Sequence, residues 1–205
     1  MEPNINKLDI YLKEKGVKVQ AGHCVGSDLS KCDGVTHLFN AMKGINHRDS
    51  STALSALLND NIYTEIIADG VHLSDEILDL TFKTKPIDKI LLISDALPIT
   101  YSDLKETVFA DEKIYYDGNK ATSKEGTIAG STTLIPEIIK ILDSKRMFNP
   151  QLIENTYNYH DIDYIGDVEW DDDFPKEKFK QDGWDSIYEP EHDGAWIVQK
   201  SWGTA

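Results

Sequence analysis

Short apolar runs recur along the first 150 residues, each closing on polar side chains and most leading into an amphipathic stretch. Val17-Lys18-Val19-Gln20-Ala21 alternates like a strand and ends at Gly22-His23. Val35-Thr36-His37-Leu38-Phe39 is a second short strand, and Tyr63 to Ala68 a third that ends at Asp69-Gly70-Val71-His72. Lys89 to Ser94 is a nearly continuous apolar run ending at Asp95, the pattern of a parallel strand covered on both faces. Between them, the spacing predicts helices over Ser51–Leu58 and from Ser74 to Phe82, the latter capped by Ser74 with Asp75 and Glu76 in its first turn. An amphipathic helix around Leu8 to Leu12 should stop at Gly16. Asp117-Gly118 marks a hairpin, and Ser131 is expected to cap a long helix whose Leu134, Ile135, Ile138, Ile139 and Leu142 face inward. Strand, polar end residue, helix is the plan of (β/α) units, which place chemistry at the C-terminal ends of the strands.

Four such ends carry His23, His37, His72 and Asp95. One strand-end histidine is usually a hydrogen-bonded structural residue, and one aspartate a helix cap. Their succession is more than composition predicts. Two imidazoles suit Zn²⁺ or Fe²⁺, and a nearby aspartate suits proton transfer to an activated water. Cys24 and Cys32 are too far apart for a zinc-knuckle pair and read as reduced packing residues, which points to the cytoplasm.

Composition divides the chain near Asn149-Pro150. Residues 151–205 hold 14 acidic side chains against 4 lysines, so most of the formal charge of −15 belongs to the tail. All four tryptophans, Trp170, Trp184, Trp196 and Trp202, lie there too. The two parts are therefore 1–149, an α/β unit, and 150–205, an irregular acidic tail. An acidic chain is a poor partner for nucleic acid. No apolar run approaches the ~20 residues of a membrane span, and Met1 to Asn6 lacks the plan of a signal peptide.

Gly22-His23, Thr36-His37-Leu38-Phe39-Asn40-Ala41-Met42 and His47-Arg48 resemble N-acetylglucosamine-6-phosphate deacetylases of the amidohydrolase superfamily. So do Ile67 to His72, Ser94-Asp95-Ala96 and Gly126 to Ser131, in order over about residues 5–145. The resemblance implies the later strands and helices of a (β/α)8 barrel. It implies His23 and His37 as metal ligands for zinc or iron, and Asp95 as the catalytic base. It implies Asn40, Ala41 and Arg48 as groups that hold a phosphorylated amino sugar. It assigns Asp69, Gly70, Val71, His72, Ile128, Ala129 and Gly130 to the sugar pocket. The implied reaction releases acetate from N-acetylglucosamine 6-phosphate.

The family's metal-binding Glu, in a His-x-Glu-Gly-Pro-like stretch, has no counterpart here. Two histidines without it should hold metal weakly. A complete barrel takes ~250 residues, so this segment is expected to be truncated and, alone, weakly active or inactive. Its exposed barrel edges would invite association, a homodimer included. The alternative is a truncated or chimeric chain that is not catalytic and only associates with a partner.

In the tail, Trp170 to Phe179 and Asp193 to Thr204 resemble the C-terminal part of papain-like cysteine peptidases. Lys200 stands at the position of the family's catalytic Asn, and neither cysteine has papain-like surroundings, so no peptidase activity is expected. Asp171-Asp172-Asp173 with Glu169 lacks the glycine and terminal Glu of an EF-hand and reads as a solvated acidic loop.

Overall fold

Four parallel strands form the first sheet of the computed structural model, which describes Leu12, residues 14–24, Gly26 and residues 28–159. They are β1 (Gln20–Ala21), β2 (Gly34–Val35), β3 (Tyr63–Ile66) and β4 (Ile90–Leu92), hydrogen-bonded in chain order. Gln20 pairs with Gly34, Gly34 with Tyr63, and Thr64 with Ile90. Parallel neighbours need a crossover. Helix α1 (Thr52–Leu58) supplies it between β2 and β3, and α2 (Asp75–Thr84) between β3 and β4. All three residues of β4 are buried, as its apolar run requires. The strands are shorter than the alternation suggests, because the backbone turns off soon after each ladder to present its polar end residue.

Local chemistry sets the helix limits. Ser51 Oγ accepts the Leu54 amide at 3.2 Å, and Ser74 Oγ accepts that of Ile77 at 3.4 Å. The helix expected around Leu8 to Leu12 lies, but for Leu12, outside the described residues; at its expected glycine stop the Lys15 and Val17 amides both reach the Leu12 carbonyl, at 3.1 and 2.9 Å, with Gly16 at φ 72°. Lys85 is buried and closes α1 from outside, its Nζ donating to the Ala56 carbonyl at 2.9 Å and the Asn59 carbonyl at 2.5 Å. Burial pushes this amine down to about 8.

The second sheet is antiparallel, in the order β5 (Glu106–Phe109), β6 (Glu112–Tyr116), β7 (Ala121–Thr122) and β8 (Ile128–Gly130). The expected Asp117-Gly118 turn joins β6 to β7, with Asp117 Oδ1 accepting the Asn119 and Lys120 amides, each at 2.9 Å. A tighter turn, Ala110-Asp111, joins β5 to β6 with both residues at positive φ, 51° and 63°. The chain then returns to the parallel sheet, where Ala96 and Ser131 form a parallel bridge.

Ser131 does not cap the helix that follows. Helix α3 (Ile135–Ser144) begins four residues later, and the Leu134 amide donates to Glu137 Oε2 at 3.2 Å. The Ser131 hydroxyl is engaged by a tertiary partner instead. Ile138 and Leu142 are fully buried, while Ile135 and Ile139 pack against the same core beside Leu38, Ile66, Leu78, Ile90 and Leu92. Cys24 and Cys32 pack against it as well.

The composition break near Asn149-Pro150 falls between α3 and α4 (Gln151–Tyr159), yet α4 packs on β4, and the first compact unit runs to Tyr159. Asn155 Nδ2 donates to the carbonyls of Ile87 and Ile90, at 2.6 and 3.1 Å. The Leu92 amide donates to Thr156 Oγ1 at 2.8 Å, and that hydroxyl lies 3.2 Å from the Leu92 carbonyl. Ile90 and Leu92 are the β4 residues whose polar groups point away from β3. The expectation of an exposed edge is thus corrected at β4, where two side chains occupy the groups that another strand would use. At the opposite ends of these strands, Lys18 Nζ stands 4.1 Å from the Tyr159 ring centroid. Tyr159 lies 4.4 Å from the Tyr63 ring, and Lys89 Nζ is 4.1 Å from Tyr63. The peptidase-like stretches and the acidic loop lie outside the described residues.

Candidate functional site

His23 and His37 each follow a strand by two residues, at the C-terminal ends of adjacent parallel strands. Their rings lie 4.9 Å apart, tilted by 42°. His37 is buried and His23 exposed, so the pair opens to solvent on one side. Both hold left-handed backbone, with φ of 49° for His23 and 35° for His37, and Asp95, three residues beyond β4, does the same at 51°. Left-handed backbone is uncommon outside glycine and clusters where a fold holds functional groups under strain.

The segment after β2 is a series of turns. Leu38 is fully buried and its amide donates to the Glu65 carbonyl at 2.7 Å, which anchors the segment to β3. Asn40 pins the turn, its Nδ2 donating to the carbonyls of His37 at 3.2 Å and Leu38 at 3.3 Å. Phe39 and Ala41 take positive φ of 75° and 50°, which leaves Ala41 exposed. Arg48 follows on an exposed loop, where its amide donates to Asn46 Oδ1 at 2.9 Å.

A second group forms beyond β3. Asp69 Oδ1 accepts the amides of Val71 and His72, each at 2.9 Å, in a tight turn whose Gly70 has φ 78°. Asp69 Oδ2 accepts the Ser131 hydroxyl at 2.7 Å and lies 2.8 Å from His72 Nδ1. Burial works to raise the Asp69 carboxyl, but the hydrogen bonds from His72 and Ser131 outweigh it and hold the group below the usual carboxylate range. The Ser131 amide also donates to the Asp95 carbonyl at 3.0 Å, so one serine ties the ends of β3 and β4 together. Sequence reasoning missed this role. The signal available was the Gly126–Ser131 motif itself.

Direct contacts therefore assemble His23 with His37, and Asp69 with His72 and Ser131. Asp95 joins the second group through its carbonyl. Asn40, Ala41 and Arg48 lie on the loop after β2, while Ile128, Ala129 and Gly130 form β8. Gly130 has no room for a side chain, since a Cβ there would sit 2.9 Å from Leu97 Cγ and 3.1 Å from the Asp95 carbonyl oxygen. Among the described residues no three His, Cys, Asp or Glu side chains converge as a metal-binding group, and no helix is long and apolar enough to cross a membrane.

No family model matches the chain. It is 33% identical over 130 residues to the N-acetylglucosamine-6-phosphate deacetylase of Bacillus subtilis, covering 59% of this chain and 32% of that one. It is 27% identical over 146 residues to the corresponding enzyme of Lysinibacillus sphaericus, covering 68% of this chain and 38% of that one. The crystal structure of N-acetylglucosamine-6-phosphate deacetylase from Pasteurella multocida superposes with a TM-score of 0.66 at 28% identity, over 75% of this chain and 41% of that one. The chain thus spans about a third to two-fifths of the length of the relatives it matches. Over 59–75% of its own length it is an α/β chain similar to the N-acetylglucosamine-6-phosphate deacetylases.

Proposed function

We propose that the chain carries the later-strand part of a deacetylase site that acts on N-acetylglucosamine 6-phosphate, giving glucosamine 6-phosphate and acetate. The observation that supports this most is the His23–His37 pair, 4.9 Å apart at neighbouring strand ends, in two stretches that resemble the deacetylases. Two imidazoles fit a divalent transition metal, zinc or iron, and His23 and His37 would hold it. When bound, such an ion polarises an amide carbonyl and acidifies water. Weak binding follows, because the described residues supply two ligands where a catalytic zinc site ordinarily has three.

The rest falls to the chain's own groups. Asp95 takes a proton from the attacking water and returns it to the departing amine, which cannot leave as an anion. The Arg48 guanidinium pairs with the phosphate through its planar fork, and the turn held by Asn40 presents backbone at Ala41 to the same group. His72 and the β8 residues Ile128, Ala129 and Gly130 border the sugar. The thiols of Cys24 and Cys32 suit a reducing cytoplasm.

The test is acetate release from N-acetylglucosamine 6-phosphate by the purified 205-residue chain loaded with zinc or iron. Slow release that requires both His37 and Asp95 supports the reading. Release that survives His37→Ala and Asp95→Asn, or no release together with no binding of the sugar phosphate, rejects it.

A further inference from the structure

Asp69 is buried at 6% exposure, and all of its acceptor capacity is taken up by the chain itself. An ionised carboxylate offers about four lone-pair positions and no donor. Oδ1 meets two amides, from Val71 and His72, which can only donate. Oδ2 meets the Ser131 hydroxyl at 2.7 Å and His72 Nδ1 at 2.8 Å. Ser131 is itself fixed from behind, since its oxygen accepts the Thr133 amide at 3.0 Å and its own amide donates to Asp95. With the carboxylate purely an acceptor, Nδ1 of His72 must carry the proton. The side chains of His72 and Asp69 are 5% and 1% exposed, so water does not compete for this bond.

We propose that Asp69 and Ser131 are positioning residues that keep the proton of His72 on Nδ1, so that the imidazole meets a bound ligand through Nε2 alone. The carboxylate therefore acts through the histidine instead of touching the sugar phosphate. The ligand assignment rests on the deacetylase reading; the tautomer does not. An amide cannot replace the carboxylate here. In an Asp69→Asn variant whose side-chain oxygen stayed toward Val71 and His72, the new NH₂ group would face Ser131 and Nδ1. A flip would set that NH₂ group against two amide N–H groups. The wild-type carboxylate alone accepts on both sides.

Long-range proton–nitrogen NMR of the full chain reads the position of the ring proton directly. The wild type is expected to show His72 protonated on Nδ1 and bare on Nε2. Asp69→Asn should reduce that preference at least tenfold, and Ser131→Ala several-fold. A fold role alone would leave the ring proton where it is. A wild-type proton on Nε2, or an Asp69→Asn spectrum unchanged from wild type, overturns the proposal. Where Asp69→Asn does not fold, the wild-type and Ser131→Ala spectra decide. Adding N-acetylglucosamine 6-phosphate should then shift Nε2 and leave Nδ1 in place. A shift at Nδ1 instead would overturn the proposal, whereas no binding at all, with the Nδ1 proton in place, would count against the deacetylase reading only.

Discussion

Leu92 and Thr156 are joined side chain to backbone across the edge of β4, with the Leu92 amide donating to the Thr156 hydroxyl at 2.8 Å and the same oxygen 3.2 Å from the Leu92 carbonyl. A helix side chain here takes the place of a neighbouring strand. Thr156→Val preserves shape but leaves the Leu92 amide without that acceptor. The variant should lose about 1–3 kcal/mol of stability, read from urea midpoints. It should also self-associate more readily in sedimentation, because the β4 edge is then open. Unchanged stability and unchanged mass would show that the edge does not depend on Thr156.

Lys85 makes stability depend on alkaline pH. Its folded value, about 8, lies below the ordinary 10.5 because burial disfavours the charged amine. Between those values the unfolded chain binds more protons than the native one, so this group's contribution to stability rises with pH across the window. The wild type should gain about 2 kcal/mol on Lys85→Met between pH ~8 and ~10. Paired urea titrations at the two pH values measure it, and a parallel pH response in both proteins would contradict the assignment.

Gly130→Ala tests how tightly the second sheet returns to the site. The new methyl would meet Leu97 Cγ at 2.9 Å and the Asp95 carbonyl at 3.1 Å. Overpacking of this kind costs about 1–3 kcal/mol. A lowered melting temperature is expected, with acetate release falling further than the folded fraction accounts for, since Asp95 is displaced.

The two halves of the proposed site should separate on mutation. His37→Ala should weaken zinc or iron binding, measured by titrating the metal into the purified chain. Asp95→Asn should keep the metal and reduce acetate release by about 10²–10⁴, the usual worth of a positioned acid–base group. Equal metal loss in both variants would argue that Asp95 is a ligand and not a proton carrier.

What could be read from residues alone was local. The Ser74 cap, the Gly16 stop and the Asp117-Gly118 turn each follow from chemistry within a few positions, whereas Ser51, read as helical, caps a helix that begins at Thr52. The buried run at Ile90–Leu92 needed only its hydrophobicity. Ser131 shows where that reach ends. Serine ahead of an apolar helical stretch is a good cap signal, yet a carboxylate 62 residues away claims its hydroxyl. Ala110-Asp111 lacks the glycine or asparagine that announces a two-residue hairpin, so positive φ at both residues was not legible. Asn155 and Thr156 are polar residues beyond an apparent composition break. Their value lies in the carbonyls and amide of β4, which are distant in sequence. The His23–His37 pair was legible because strand ends place consecutive motifs side by side, whereas the Asp69–Ser131 bond joins motifs that only the return of β8 brings together.

The lysine–tyrosine stack of Lys18, Tyr159, Tyr63 and Lys89 lies where β1, β3 and β4 begin, while the histidine pair and Asp95 lie where the strands end. The two ends of one sheet thus carry separate groups of side chains. Changes at the tyrosine end can tune how firmly the chain folds, and changes at the histidine end can tune what it binds, with little crosstalk. A substitution in the aromatic clamp can therefore loosen the start of the sheet without moving the His23–His37 pair at its far end.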